Sequence, residues 1–220
     1  MVNAKALAVK PPSWMLLRLG LETHQHHATA DADRIALMEV ASPADYRAQL
    51  ARIHGFEAAV EQALLAVLDA RIVRERTKSH WLRRDLHALG LTTEDVDCVP
   101  HFTVRLTSVT QALGWLFVLE RHTLLAGLIH RQLEHRFGAE VVDATSYLCA
   151  YGDSPGARFR SLCEVLDQHG AQHATHPTLI VAGASEAFRA QCHWYRTAAD
   201  DRQPRLEPVG FTADRSSLTS

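Results

Sequence analysis

Cysteine is scarce in this chain: Cys98, Cys149, Cys163 and Cys192 stand far apart, and no two of them form a C-x-x-C pair. That spacing argues against a small disulfide-framed domain and a zinc knuckle, and it fits a reducing cytoplasm. An excess of one charge is missing too. Lys and Arg number 23 against 25 Asp and Glu, so there is no electrostatic footprint for nucleic acid or an anionic membrane surface. No run approaches the ~18 apolar residues of a membrane span, and the start, with Lys5 and Lys10, has no apolar stretch of signal-peptide length. A cytoplasmic protein with no nucleic-acid and no membrane partner is expected. A G-x-G-x-x-G run is absent, which removes the usual nicotinamide and flavin turn. Sustained two-residue alternation of strand-type residues is absent as well.

Helical periodicity fills most of the chain. From Pro43, Tyr46, Leu50, Ile53, Val60, Leu64 and Val67 recur at three- and four-residue steps, with Ser42 placed to cap the start. Val104, Val109, Leu113, Leu116, Phe117, Leu124, Leu128 and Leu133 predict one helix of about eight turns, closed at Phe137-Gly138 by a left-handed glycine. A shorter helix carries Trp81, Leu82, Leu86 and Leu89 and ends at Gly90; another follows the turn-rich Tyr151–Gly156 and carries Phe159, Leu162, Val165 and Leu166. Leu179 to Tyr195 reads as a further helix, with Val181, Phe188 and Trp194 inward. The expected fold is all-α, a single-domain multi-helical shell over 13–200, flanked by a flexible 1–12 segment and a disordered 201–220 tail. The 220 residues suffice for one well-buried core. Histidine is abundant at 14, which raises the prior for a metal or haem ligand.

Several segments, in order, resemble the haem (heme) oxygenase family, and its bacterial, biliverdin-producing branch in particular. Leu19-Gly-Leu-Glu-Thr23-His-Gln-His-His27 is similar to its L-x-x-x-T-x-x-x-H; Asp45-Tyr46 to Glu61 looks like the helix that follows; Leu82-Arg-Arg-Asp85-Leu86-His-Ala-Leu89-Gly90 is similar to L-x-x-D-L-x-x-L-G. Gly114-Trp115-Leu116-Phe117-Val118-Leu119-Glu120, then Tyr151-Gly152 with Gly156 and Phe159-Arg160, and Ala184-Ser-Glu186-Ala187-Phe188 complete the set, which spans roughly residues 16 to 195. The resemblance implies a multi-helical heme oxygenase-like fold. It also implies O2-dependent opening of heme, as substrate and cofactor, to biliverdin, CO and iron, an oxidoreductase reaction of heme catabolism fed by an external electron donor, a reductase or ferredoxin.

On that resemblance His27 is the proximal iron ligand, since a neutral imidazole is a good axial ligand. Read from the residues alone, Thr23 to His27 is better taken as a polar face at a helix start. The family's two distal glycines are replaced by Arg121 and Leu125. Arg121 is expected either to fill the slot or to swing out to a haem propionate, and Leu125 must occupy pocket or core volume. His122 is read either as a second axial ligand or as a solvent-facing residue. Phe117 stands where the family often has tyrosine, and Arg18 is expected to serve a propionate because Gly20 is not basic. Phe159 and Phe188 are core residues that in such a fold double as haem contacts. Glu120 is expected to pair with a neighbouring helix, and Arg160 to anchor the C-terminal helices. Two alternatives stand beside the oxygenase: a catalytically silent protein on the same scaffold that binds heme or a protein partner, and a haem-free metal enzyme using Glu57 with Glu61, or Glu134 with His130. Those four look like ordinary exposed helix charges.

Overall fold

The computed structural model describes residues 12–152 and 154–200, with side chains described as far as Thr197. The segments read as a flexible start and a disordered tail lie, Pro12 apart, outside the described residues. The fold is all-α, and no strand occurs among the described residues.

Its helices are α1 (Trp14–Glu22), α2 (His24–Ile35), α3 (Pro43–Leu65), α4 (Ala70–Arg74), α5 (Ser79–Ala88), α6 (Thr93–Asp97), α7 (Val109–Arg121), α8 (Ala126–Phe137), α9 (Pro155–Gln172) and α10 (His176–Asp200). Their starts follow local chemistry. Ser13, Ser42 and Ser108 accept the backbone N–H of Leu16, Asp45 and Gln111, and Thr92 forms a reciprocal capping box with Asp95. Gly90 and Gly138 take φ of +89° and +49° just past α5 and α8, a region that costs a side chain steric energy.

The long helix predicted from Val104 differs in two ways. It begins at Val109: the amide of Phe102 donates to the Gly55 carbonyl and the Phe102 ring packs on Phe56 and Trp115, and the residues from Phe102 to Thr107 are irregular. It is also interrupted: residues His122–Leu125 form a 3-10 turn between α7 and α8. There the Thr123 hydroxyl donates to the Glu120 carbonyl at 2.7 Å, competing with the regular ladder. The first motif is broken as well, since the Thr23 hydroxyl turns back to the Leu19 carbonyl and His27 falls on α2.

Two apolar clusters form the core. One gathers Met15, Phe56, Trp115, Phe117, Leu162 and Phe188; the other gathers Tyr46, Leu50, Leu82, Leu86, Ile129 and Leu133. Helix α7 is buried from Ala112 to Glu120 and packs most heavily on α10. Glycines set that contact: a Cβ on Gly114 would lie 2.3 Å from the Ile180 carbonyl, and one on Gly183 would lie 2.5 Å from the Gln111 carbonyl. Taken as one helical run, Val109–Glu140 is long and apolar enough to cross a membrane, contrary to the sequence expectation. In the fold 67% of its most apolar window is buried, which makes it a core element by packing.

Candidate functional site

Helix α2 carries His27 in its second turn. Its Nε2 lies 3.0 Å from the Thr23 hydroxyl, whose single proton is already given to the Leu19 carbonyl at 2.6 Å. The hydroxyl therefore accepts, and His27 Nε2 carries a hydrogen. Burial, then the Arg121 guanidinium, lower the His27 pKa, so the neutral ring is favoured with its lone pair on Nδ1. The ring rests on Phe188 at 5.4 Å, and Phe188 is buried. Arg18 is engaged elsewhere, with Glu22 and, at 3.0 Å, with the Thr178 hydroxyl on α10. Phe117 is a core residue against Phe159. Arg160 is exposed and does not serve as a buried anchor for the C-terminal helices.

Opposite α2 runs the junction of α7 with the 3-10 turn. Arg121 reaches across it and binds Asp31 of α2 through both guanidinium nitrogens, with the second contact at 2.8 Å. One turn further along α2, Arg34 donates to His122 Nδ1 at 3.0 Å. His122 is thus buried, 4% exposed, which overturns the solvent-facing reading. Leu125 packs against the second apolar cluster, so it occupies core volume.

A haem lying between His27 and this segment does not fit these residues as they stand. His27 Nε2 is protonated and bound to Thr23, and two direct side-chain ties join α2 to the facing segment, where a flat macrocycle would have to lie. The cavities of about 290, 330 and 400 Å³ open elsewhere, and His27 lines none of them.

The ties belong to a larger buried network. Arg34, 2% exposed, donates to Glu57 at 2.6 Å and to the Tyr147 hydroxyl at 2.8 Å, and Tyr147 donates in turn to Glu57 at 2.6 Å. Burial works against the Arg34 charge, but Tyr147, Tyr195 and Glu57 more than offset it and raise its pKa. Because a guanidinium only donates, His122 Nδ1 must accept, and its proton sits on Nε2. Burial first, then Arg34, Arg121 and Lys78, hold the His122 pKa well below its usual range, consistent with that neutral tautomer. His122 Nε2 is buried without a partner. Lys78 extends the network: its ammonium donates to Glu120 at 3.0 Å and to the Arg76 carbonyl at 3.1 Å, and Tyr151 donates to Glu120 at 2.7 Å. Glu120 is paired, but with Lys78 and Tyr151 from the segments preceding α5 and α9 and not with a neighbouring helix as expected. Glu61 accepts from the Lys78 amide and from Ser79.

Glu57 and Glu61 are therefore inward, correcting their reading as exposed charges, and they are occupied by cations, hydroxyls and amides. Glu134 is exposed and His130 half-buried. Among the described residues no three His, Cys, Asp or Glu side chains are grouped to hold a metal ion.

The chain matches no family model and no curated protein. Sequence reasoning did not single out Arg34, Lys78 or Tyr147. No local signal marks them, since Arg34 meets Glu57 and Tyr147 across separations of 23 and 113 residues.

Proposed function

We propose that this chain is a catalytically silent relative of haem oxygenases, a helical scaffold with a binding role that does not open haem. The observation that carries the reading is the pair of bridges, Asp31 to Arg121 and Arg34 to His122, tying the helix with His27 to the opposite wall. An oxygenase needs that space for the porphyrin and one open face of its iron for dioxygen. Here an arginine and a leucine stand where the resembled family has glycines, and the arginine holds a carboxylate of this chain in place of a propionate.

Haemin titration followed at the Soret band, then reductant and oxygen, tests the proposal. The unaltered protein is expected to give no one-to-one Soret band and no biliverdin absorbance. The triple change Asp31→Ala, Arg121→Gly and Leu125→Gly is expected to gain a Soret band by opening the gap. A stoichiometric band in the unaltered protein, lost in His27→Ala and bleached to biliverdin with oxygen, refutes the silent reading and restores the oxygenase.

A further inference from the structure

Behind the closed slot lies a cavity of about 290 Å³ between the start of α8 and the loop from Tyr147 to Gly152. Its volume is at the lower end for small-molecule sites. Lys78, His130 and Arg131 line it, and no carboxylate is among its lining residues that the structure describes. Ala126, Leu148, Ala150 and Pro155 supply an apolar wall. Deeper in, a second cavity of about 10 Å³ is bounded by Arg34 and His122, and it shares Lys78, Thr123, Ala126, Tyr147 and Leu148 with the outer one. It has room for about one oxygen-sized group.

Among the side chains lining this inner end the unpartnered polar atoms are donors, while Glu57 Oε2 and Glu120 Oε2, buried without hydrogen-bond partners in the surrounding network, lie outside the lining. The Lys78 ammonium has three N–H groups, of which two are directed to Glu120 and the Arg76 carbonyl. His122 Nε2–H is buried and unpartnered, as is Arg34 Nε. The Tyr147 proton is committed to Glu57 and that of Thr123 to the Glu120 carbonyl. Neither Glu57 nor Glu120 lines either cavity. Buried donors left without acceptors are costly, and a ligand that brings an acceptor recovers that cost.

We propose that the two cavities form one binding site for a small organic carboxylate: one oxygen enters the inner cavity toward His122 and Lys78, the carbon body lies on the apolar wall, and Arg131 closes the mouth. A single narrow oxygen position suits a planar carboxylate better than a tetrahedral phosphate. The site goes beyond the silent reading, since it is a pocket reached from the α8 side, and it shares with that reading only the Arg34–His122 pair at its inner end.

The test is calorimetry on the full chain with acetate, butyrate, benzoate and inorganic phosphate, each as the sodium salt. At least one carboxylate is expected to bind one-to-one, and phosphate is not. Arg131→Gln, at an exposed position that leaves folding intact, is expected to weaken that binding about tenfold, the worth of one charge-assisted hydrogen bond. Ala126→Leu, checked for folding by circular dichroism, fills the shared wall and is expected to abolish it. In ¹⁵N spectra of labelled imidazoles, the His122 Nε2–H resonance is expected to shift as the carboxylate saturates. Absence of saturable carboxylate binding, equal binding of phosphate, indifference to both substitutions, or an unmoved His122 resonance overturns the inference.

Discussion

Replacing Arg34 by methionine tests whether the interior is organised around its guanidinium. The substitution preserves most of the side-chain length and removes the charge. It strips Glu57 of its cationic partner at 2.6 Å, Tyr147 of a donor at 2.8 Å and His122 of a donor at 3.0 Å, all at sites under 7% exposed. Breaking a buried ion pair by removing one partner costs about 3–5 kcal/mol, because the remaining charge keeps its desolvation penalty. Folded domains have a margin of roughly 5–15 kcal/mol, so the loss is a large share of the total. Urea unfolding at pH 7, followed by far-ultraviolet circular dichroism, is the assay, with the midpoint read at a constant slope. The companion change Arg34→Met with Glu57→Leu removes both charges and is expected to recover most of the loss, since apolar replacement of a whole buried pair is often close to neutral. A loss under about 1 kcal/mol for Arg34→Met, the value of a surface pair, refutes the reasoning. So would a double variant no more stable than the single one.

Acid sensitivity follows from buried histidines. Burial first, and the neighbouring His101 next, lower the His54 pKa to about 4 against an ordinary 6.5. The unfolded chain then takes a proton that the folded one resists, so stability is complete above pH 6.5 and declines as pH falls from there toward 4. His54 accounts for roughly 3 kcal/mol of that decline, and His122 acts in the same direction. Stability measured from pH 7 to pH 4 should fall less steeply in His54→Leu; parallel curves would remove His54 as the cause. Gly114→Ala places a methyl 2.3 Å from the Ile180 carbonyl and 2.4 Å from the Ala184 nitrogen, so α7 and α10 must separate. A loss of about 1–3 kcal/mol is expected, visible as a lower Tm, and an unchanged Tm would contradict the close approach.

Repetitive features were legible in the sequence. Ser42 with Pro43, Ser79 to Ala88 before Gly90, and Gly138 after α8 lie where spacing and capping chemistry put them, because each depends on neighbours within about one helical turn. What escaped depends on distant partners. The 3-10 turn at His122 arises at a sequence with no proline, and its one visible cause is a threonine hydroxyl bonding three residues back. Glu57 and Glu61 read as solvated charges since neither Arg34 nor Lys78 is near them in the chain. Arg121 was expected to fill a slot or meet a propionate, and the carboxylate it meets belongs to Asp31, 90 residues earlier.

The interlocked glycines of α7 and α10 also bear on how the protein is made. Ile180, Ala184 and Phe188 complete the first apolar cluster, and Met15 and Leu19 at the other end of the chain belong to it too. Helix α1 is fastened near α9 through Ser13 and Asp167 at 2.8 Å. Such pairings pay their loop-closure entropy late. During synthesis the nascent chain must therefore keep an unfinished interior until α10 has left the ribosome, and a molecule truncated before α10 would expose the apolar face of α7 to chaperones and proteases.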